Sequence, residues 1–220
     1  MVKIEVCVDS VQGLRAAIEG GADRVELCSA LNVGGLSPNS ELIAVARSTD
    51  VPVMVMVRPR AEGFCWDEAE IQQCFAEIAA VREAGLAGVV IGAAHVSGAL
   101  DLVTLERFIA AAKGLDITLH RVVDETPDPV QAAMDAEKLG IRRILSSGGS
   151  ASAIDGLEVL RQIARVASKT SIMPGAGVAP ENIARIVKQI EASEIHGSFS
   201  VGGITNVQRV KAAKAAISGL

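Results

Sequence analysis

Gly21-Ala-Asp-Arg-Val-Glu-Leu27 is echoed twice further along the chain, as Gly85-Leu-Ala-Gly-Val-Val-Ile91 and Gly140-Ile-Arg-Arg-Ile-Leu145. Each time a glycine closes an Ala/Leu/Ile-rich stretch, a few residues turn, and a β-branched run begins. A glycine so placed reads as a left-handed helix stop, with a strand after it. The three glycines are 64 and 55 residues apart, about two strand–helix units each time.

Working outward from these stops, the same alternation covers the chain. Strands are expected at 2–8, 23–28, 52–57, 88–92, 116–121, 143–147, 170–173 and 194–199. Helices are expected at 11–19, 39–48, 67–83, 102–113, 128–138, 153–167, 181–190 and 206–218. Asp67-x-x-Glu70 resembles a capping box, and Pro127 and Pro180 fall where first-turn prolines are tolerated. Strict alternation implies parallel strands with right-handed crossovers. Eight units predict an α/β chain closed into a (β/α)₈ TIM barrel, a single domain over residues 1–220, near the lower end of the usual size. An open doubly wound sheet is the alternative. No G-x-G-x-x-G follows the first strand, which weakens its dinucleotide-binding version.

Composition removes several function classes. With four Phe, one Trp and no Tyr, the core must be aliphatic, and base-stacking or sugar-stacking sites lack their aromatics. The net charge of −5, with no basic run, argues against nucleic acid and anionic membranes as partners. No apolar stretch approaches the ~20 residues of a membrane span. Cys7, Cys28, Cys65 and Cys74 form no C-x-x-C pair, and Met1-Val-Lys-Ile-Glu5 does not read as an export signal. The cysteines therefore read as reduced thiols of a cytoplasmic protein.

Side chains alternate along a strand, so parity assigns the barrel's two faces. Ile4, Val6 and Val8 face the helices, leaving Glu5, Cys7 and Asp9 inside. The same rule turns Arg24, Glu26 and Cys28 inward, then Met54, Met56 and Arg58, then Thr118 and His120, then His196 and Ser198. A barrel lined only for stability would not carry these charges, because burying an unpaired ion costs several kcal/mol. Glu5, Arg24 and Glu26 could form an ionic plug at the bottom.

Catalysis in this architecture sits at the carboxyl ends of the strands. Glu26 and His120 there make a plausible acid–base pair, with Arg58 as an oxyanion partner. Arg60, two residues on, suits the same anion or a salt-bridged loop. Ser147-Gly148-Gly149 and Gly175-Ala-Gly177 are glycine-rich turns after the sixth and seventh strands, which can aim N–H groups at a phosphate or simply supply turn chemistry. Cys7 and Cys28 have comparable positions on neighbouring strands about 4.8 Å apart, so they could share a soft ion such as Cu(I). Small buried thiols filling the barrel are the plainer alternative. No three or four ligands have zinc spacing, Cys65 and Cys74 have no evident partner, and no inward lysine suits a Schiff base.

Taken together and in order, Glu5-Val-Cys-Val-Asp-Ser10, Gly20 to Cys28, Gly34-Gly-Leu-Ser-Pro38, Met56-Val-Arg-Pro-Arg60, Leu119-His-Arg121 with Asp124, Arg143 to Gly148, Ile172-Met-Pro-Gly175 and Glu194-Ile-His196 resemble the CutC copper-homeostasis family. The resemblance spans nearly the whole chain. It implies a TIM barrel, a cytoplasmic location, a homodimer and a role in copper handling, with Cu(I) at Cys7 and Cys28. The residues themselves leave a second class open: a lyase- or isomerase-type enzyme acting on a small anionic or phosphorylated metabolite through Glu26, Arg58 and His120.

Overall fold

A computed structural model describes residues 1–220. Eight parallel strands alternate with eight helices: β1 (Lys3–Val8), α1 (Val11–Glu19), β2 (Arg24–Leu27), α2 (Ser40–Ala46), β3 (Val53–Met56), α3 (Glu68–Glu83), β4 (Gly88–Ile91), α4 (Leu102–Ala111), β5 (Asp116–Leu119), α5 (Pro129–Lys138), β6 (Arg143–Ser146), α6 (Leu157–Val166), β7 (Ser171–Pro174), α7 (Ile183–Ile190) and β8 (Glu194–Gly197). A short antiparallel hairpin, β9 (Ser200–Val201) with β10 (Ile204–Thr205), precedes α8 (Val207–Ile217). The expected TIM barrel and its order of elements are what the chain forms. Strand pairing runs β7-β6-β5-β4-β3-β2-β1-β8. β7 and β8 meet without a ladder, and at that seam the Ser171 and Ser193 hydroxyls are 3.3 Å apart.

Local chemistry explains the element boundaries. Asp67 and Glu70 form the expected capping box of α3, and Ser10, Asn39, Asp101, Asp128 and Asn206 cap other helices with side-chain oxygens. Pro129, not Pro127, holds the first turn of α5, because Asp128 takes the cap. Pro180 precedes α7, which begins at Ile183. α6 starts four residues later than expected. Gly156, its cap, lies against the Ser147 carbonyl, and a β-carbon there would stand 1.8 Å from that oxygen. The chain must turn at this contact before it can wind.

Parity sorts the core. The outward faces of the strands, Ile4, Val25, Leu27, Val55, Ile91, Leu119 and Ile144 among them, pack on the helices in one cluster of 53 buried residues. Inside the barrel only Cys28, Met54, Met56 and Val90 form an apolar group. Apart from Leu145 and Met173 the rest of the lumen is largely polar, and it divides into two levels.

Candidate functional site

The lower level is a closed ionic network at the amino ends of the strands. Register places Glu5 beside Arg24 on one side and His196 on the other. Arg24 pairs with Glu5 and, at 2.5 Å, with Glu194. Arg143 pairs with Glu194 at 2.8 Å and with Asp116 at 2.9 Å, and donates to the Thr118 hydroxyl at 3.0 Å. The expected plug therefore exists for Glu5 and Arg24, extended by two carboxylates and a second arginine from distant strands. Burial alone would raise the Glu5 pKa; the His196 hydrogen bond and the Arg24 charge outweigh it and hold the carboxyl at about 2.

One layer higher, β1, β2 and β8 bring Cys7, Glu26 and His196 together. All three are buried, and their ligand atoms lie within 4.8 Å of one another. His196 Nδ1 is 2.8 Å from Glu5 Oε1, which fixes the ring, while Nε2 points to Glu26 Oε2 at 3.7 Å. Burial would lower the His196 pKa, but Cys7 and Glu26 raise it well above the ordinary value. The Cys28 thiol donates to Glu26 Oε2 at 3.3 Å; burial, then the Glu26 charge, pushes it well above its usual range. Burial also raises Glu26, more than the neighbouring His196 lowers it. Sequence spacing shows no three-ligand cluster because His196 lies 170 residues beyond Glu26. Barrel closure, which sets β8 against β1, makes it.

This group forms part of the wall of a cavity of about 510 Å³ at the carboxyl ends of the strands. Arg58, Phe64, His120, Arg121, Asp124 and Gly177 line it as well. So the three residues expected for acid–base and oxyanion work, Glu26, Arg58 and His120, do share one cavity. Arg58 is also a loop anchor: its guanidinium donates to the carbonyls of Val33 and Gly35, both at 3.1 Å, and of Ala61 at 2.5 Å, and lies 4.7 Å from the Phe64 ring centre. Asp9, read as inward, is exposed beyond the end of β1.

His120 caps the 3-10 turn Arg121–Glu125: the Val122 N–H donates to its Nδ1 at 3.1 Å. A neutral ring so engaged carries its proton on Nε2. Burial, reinforced by the Arg58 charge, lowers its pKa to about 3. The ring fits between Phe64, with centres 4.8 Å apart, and Gly92, where a β-carbon would stand 2.1 Å from Cε1.

The first glycine-rich turn does hold an anion, and that anion is the chain's own. Asp124 Oδ1 accepts from the Ser146 hydroxyl at 2.6 Å and from the N–H groups of Ser147 and Gly149, both at 3.1 Å. Its Oδ2 accepts from the Ser147 N–H at 2.9 Å, the Ser147 hydroxyl at 3.0 Å and Arg121 at 2.8 Å. Gly148, at φ +70°, makes this turn possible. In the second turn Gly177 lines the cavity, while Gly175 packs where a β-carbon would strike Leu145 at 2.5 Å. Arg60 lies outside the cavity, on Glu70 at 2.5 Å and 5.0 Å from the Trp66 ring centre. Cys65 is exposed; Cys74 is buried in α3, its thiol pushed up to about 12 by burial. Phe64 gave no signal in the sequence, and His196 gave its inward parity and its place in Glu194-Ile-His196.

The model of the CutC family matches residues 2–201. The chain belongs to the CutC family. A CutC family protein of Caulobacter vibrioides is 49% identical over 199 residues, covering 90% of this chain and 81% of the relative. One from Rhizobium meliloti is 43% identical over 210 residues, covering 95% and 86%. A crystal structure of CutC from Streptococcus agalactiae, described provisionally as a copper homeostasis protein, superposes with a TM-score of 0.85 at 27% identity, covering 90% of this chain and 99% of that one. A phosphoribosyl anthranilate isomerase from Thermococcus kodakaraensis, at TM-score 0.66 and 16% identity over the whole of both chains, shares the fold.

Proposed function

We propose that this protein handles copper by binding one Cu(I) ion, as cargo, at the carboxyl end of β1, with Cys7 as the principal ligand and His196 beside it. The observation that carries the reading is the buried Cys7–Glu26–His196 group, with His196 oriented by Glu5. A thiolate and an imidazole are soft enough for Cu(I), and a carboxylate on the far ring nitrogen is the usual device for aiming a ligating histidine. Glu26 supplies negative charge more than bond strength. Cys28, whose thiol is held on Glu26, is the second sulfur the ion recruits by displacing that contact. The S. agalactiae protein's description supports the copper assignment. The setting that goes with it is the cytoplasm, where thiols stay reduced, and the state that goes with it is a homodimer.

Competition with a chromophoric Cu(I) chelator on the reduced protein tests this. The parent binds one equivalent. Cys7→Ser weakens binding about a hundredfold or more, Cys28→Ser about tenfold. Glu5→Gln weakens it about tenfold by loosening His196, and loosens the Arg24 pair as well. A Cys7→Ser/Cys28→Ser double variant that binds as tightly as the parent overturns the assignment, and so does a parent that prefers Zn(II).

A further inference from the structure

Three buried side-chain atoms lack a hydrogen-bond partner: Glu26 Oε1, Arg58 Nε and His120 Nε2. Native proteins seldom leave such atoms unpaired. Here all three belong to residues that line the one cavity of about 510 Å³, a volume within the range of small-molecule sites.

We propose that this cavity binds a small hydroxycarboxylate, whose carboxylate accepts from His120 Nε2–H and Arg58 Nε–H and whose hydroxyl donates to Glu26 Oε1. The proposal goes beyond the copper reading: the two share Glu26, but Glu26 meets Cys28 and His196 through Oε2 and would meet this ligand through Oε1.

The chemistry follows from what each atom offers. His120 accepts through Nδ1 from Val122, so its Nε2 is a donor. Its lowered pKa, about 3, keeps the ring neutral at neutral pH and leaves only that one N–H to give. Arg58 has three of its four Nη hydrogens on carbonyls, which leaves one Nη2 hydrogen and the wholly unpartnered Nε–H. Both donors are held in advance against the same ring: Arg58 lies over Phe64, and His120 is wedged between Phe64 and Gly92. Two fixed donors, one of them cationic, fit a carboxylate. The remaining acceptor, Glu26 Oε1, calls for a donor on the ligand, which a hydroxyl supplies.

A phosphate ester fits less well. The N–H groups of Ser147 and Gly149 and the hydroxyls of Ser146 and Ser147, which would cradle it, already hold Asp124. A phosphate dianion at that turn would meet this carboxylate.

The protein has three histidines, so the resonances of His95, His120 and His196 can be assigned by single substitutions. Histidine-labelled, metal-free full-length protein is titrated with glycolate, D- and L-lactate, L-malate and citrate, with acetate and inorganic phosphate as contrasts. NMR locates binding and calorimetry measures it. The expected result is a saturable shift of the His120 Nε2 resonance by at least one hydroxycarboxylate, exceeding that caused by acetate or phosphate. His120→Phe weakens binding about tenfold or more, and His120→Gln, which keeps a donor, restores part of it. Glu26→Gln narrows the gap between the hydroxycarboxylate and acetate. The proposal is overturned if no hydroxycarboxylate shifts His120, if phosphate binds as well, or if a folded His120→Phe variant binds as tightly as the parent. Because copper is absent throughout, these outcomes are independent of the Cu(I) competition.

Discussion

At the amino end of the barrel Arg24 lies between Glu5 and Glu194, and Arg143 between Glu194 and Asp116. At the carboxyl end Glu26, Arg58 and His120 line a cavity, each with one buried atom that meets no partner. The residue types are alike and the treatment differs. Below, every charge answers another inside the protein. Above, the protein's own contacts orient the side chains and leave an atom over. Glu5 joins the levels, one oxygen on Arg24 and the other on His196. The lower network thus acts as a foundation that aims the upper histidine.

The largest expected effect comes from breaking the foundation. Arg24→Met removes the guanidinium shared by Glu5 and Glu194, and should cost about 3–5 kcal/mol in urea denaturation at neutral pH. A loss below about 1 kcal/mol would mean the network is ornamental.

Asp124→Ala should cost about 1–3 kcal/mol, because it strips an acceptor from the Ser147 and Gly149 N–H groups. The same variant empties the turn, so it should gain inorganic phosphate affinity, read by calorimetry. Unchanged phosphate binding would show that the turn is shaped for a carboxylate alone.

Smallest at neutral pH is Glu26→Gln, expected within about 1 kcal/mol of the parent or slightly stabilising, since it relieves a buried carboxyl without breaking an ion pair that closes a network. The contrast with His120→Gln appears in the pH profile. The folded pKa of His120 is depressed to about 3, so its contribution is present above the unfolded value of 6.5 and is lost as pH falls toward 3. The folded pKa of Glu26 is raised, so its contribution is present below 4.5 and is lost as pH rises through the folded value. Subtracting each variant's unfolding profile from the parent's should therefore give slopes of opposite sign just above pH 4.5. Slopes of the same sign would contradict the assigned environments.

Much of this architecture is local and hence legible. The glycine stops at Gly21, Gly85 and Gly140 lie in the left-handed region, as helix ends before strands require. Period-two alternation turned Glu5, Cys7, Glu26, His120 and His196 inward, and the structure buries all five. The loops were less legible. The length of the segment before α6 depends on the contact of Gly156 with Ser147, and the anchoring of Arg58 depends on carbonyls more than twenty residues earlier.

The sequence by itself determined the order of strands and helices, the barrel they close, and which side chains enter it, because turn chemistry and side-chain periodicity act over a few residues. Only the tertiary structure decided who meets whom there. It set His196 beside Cys7 and Glu26, put Asp124 into the glycine-rich turn, and left Glu26, Arg58 and His120 each with a free atom. Those outcomes depend on closure of β8 against β1 and on the reach of loops across the barrel mouth, and no short-range pattern encodes such distances.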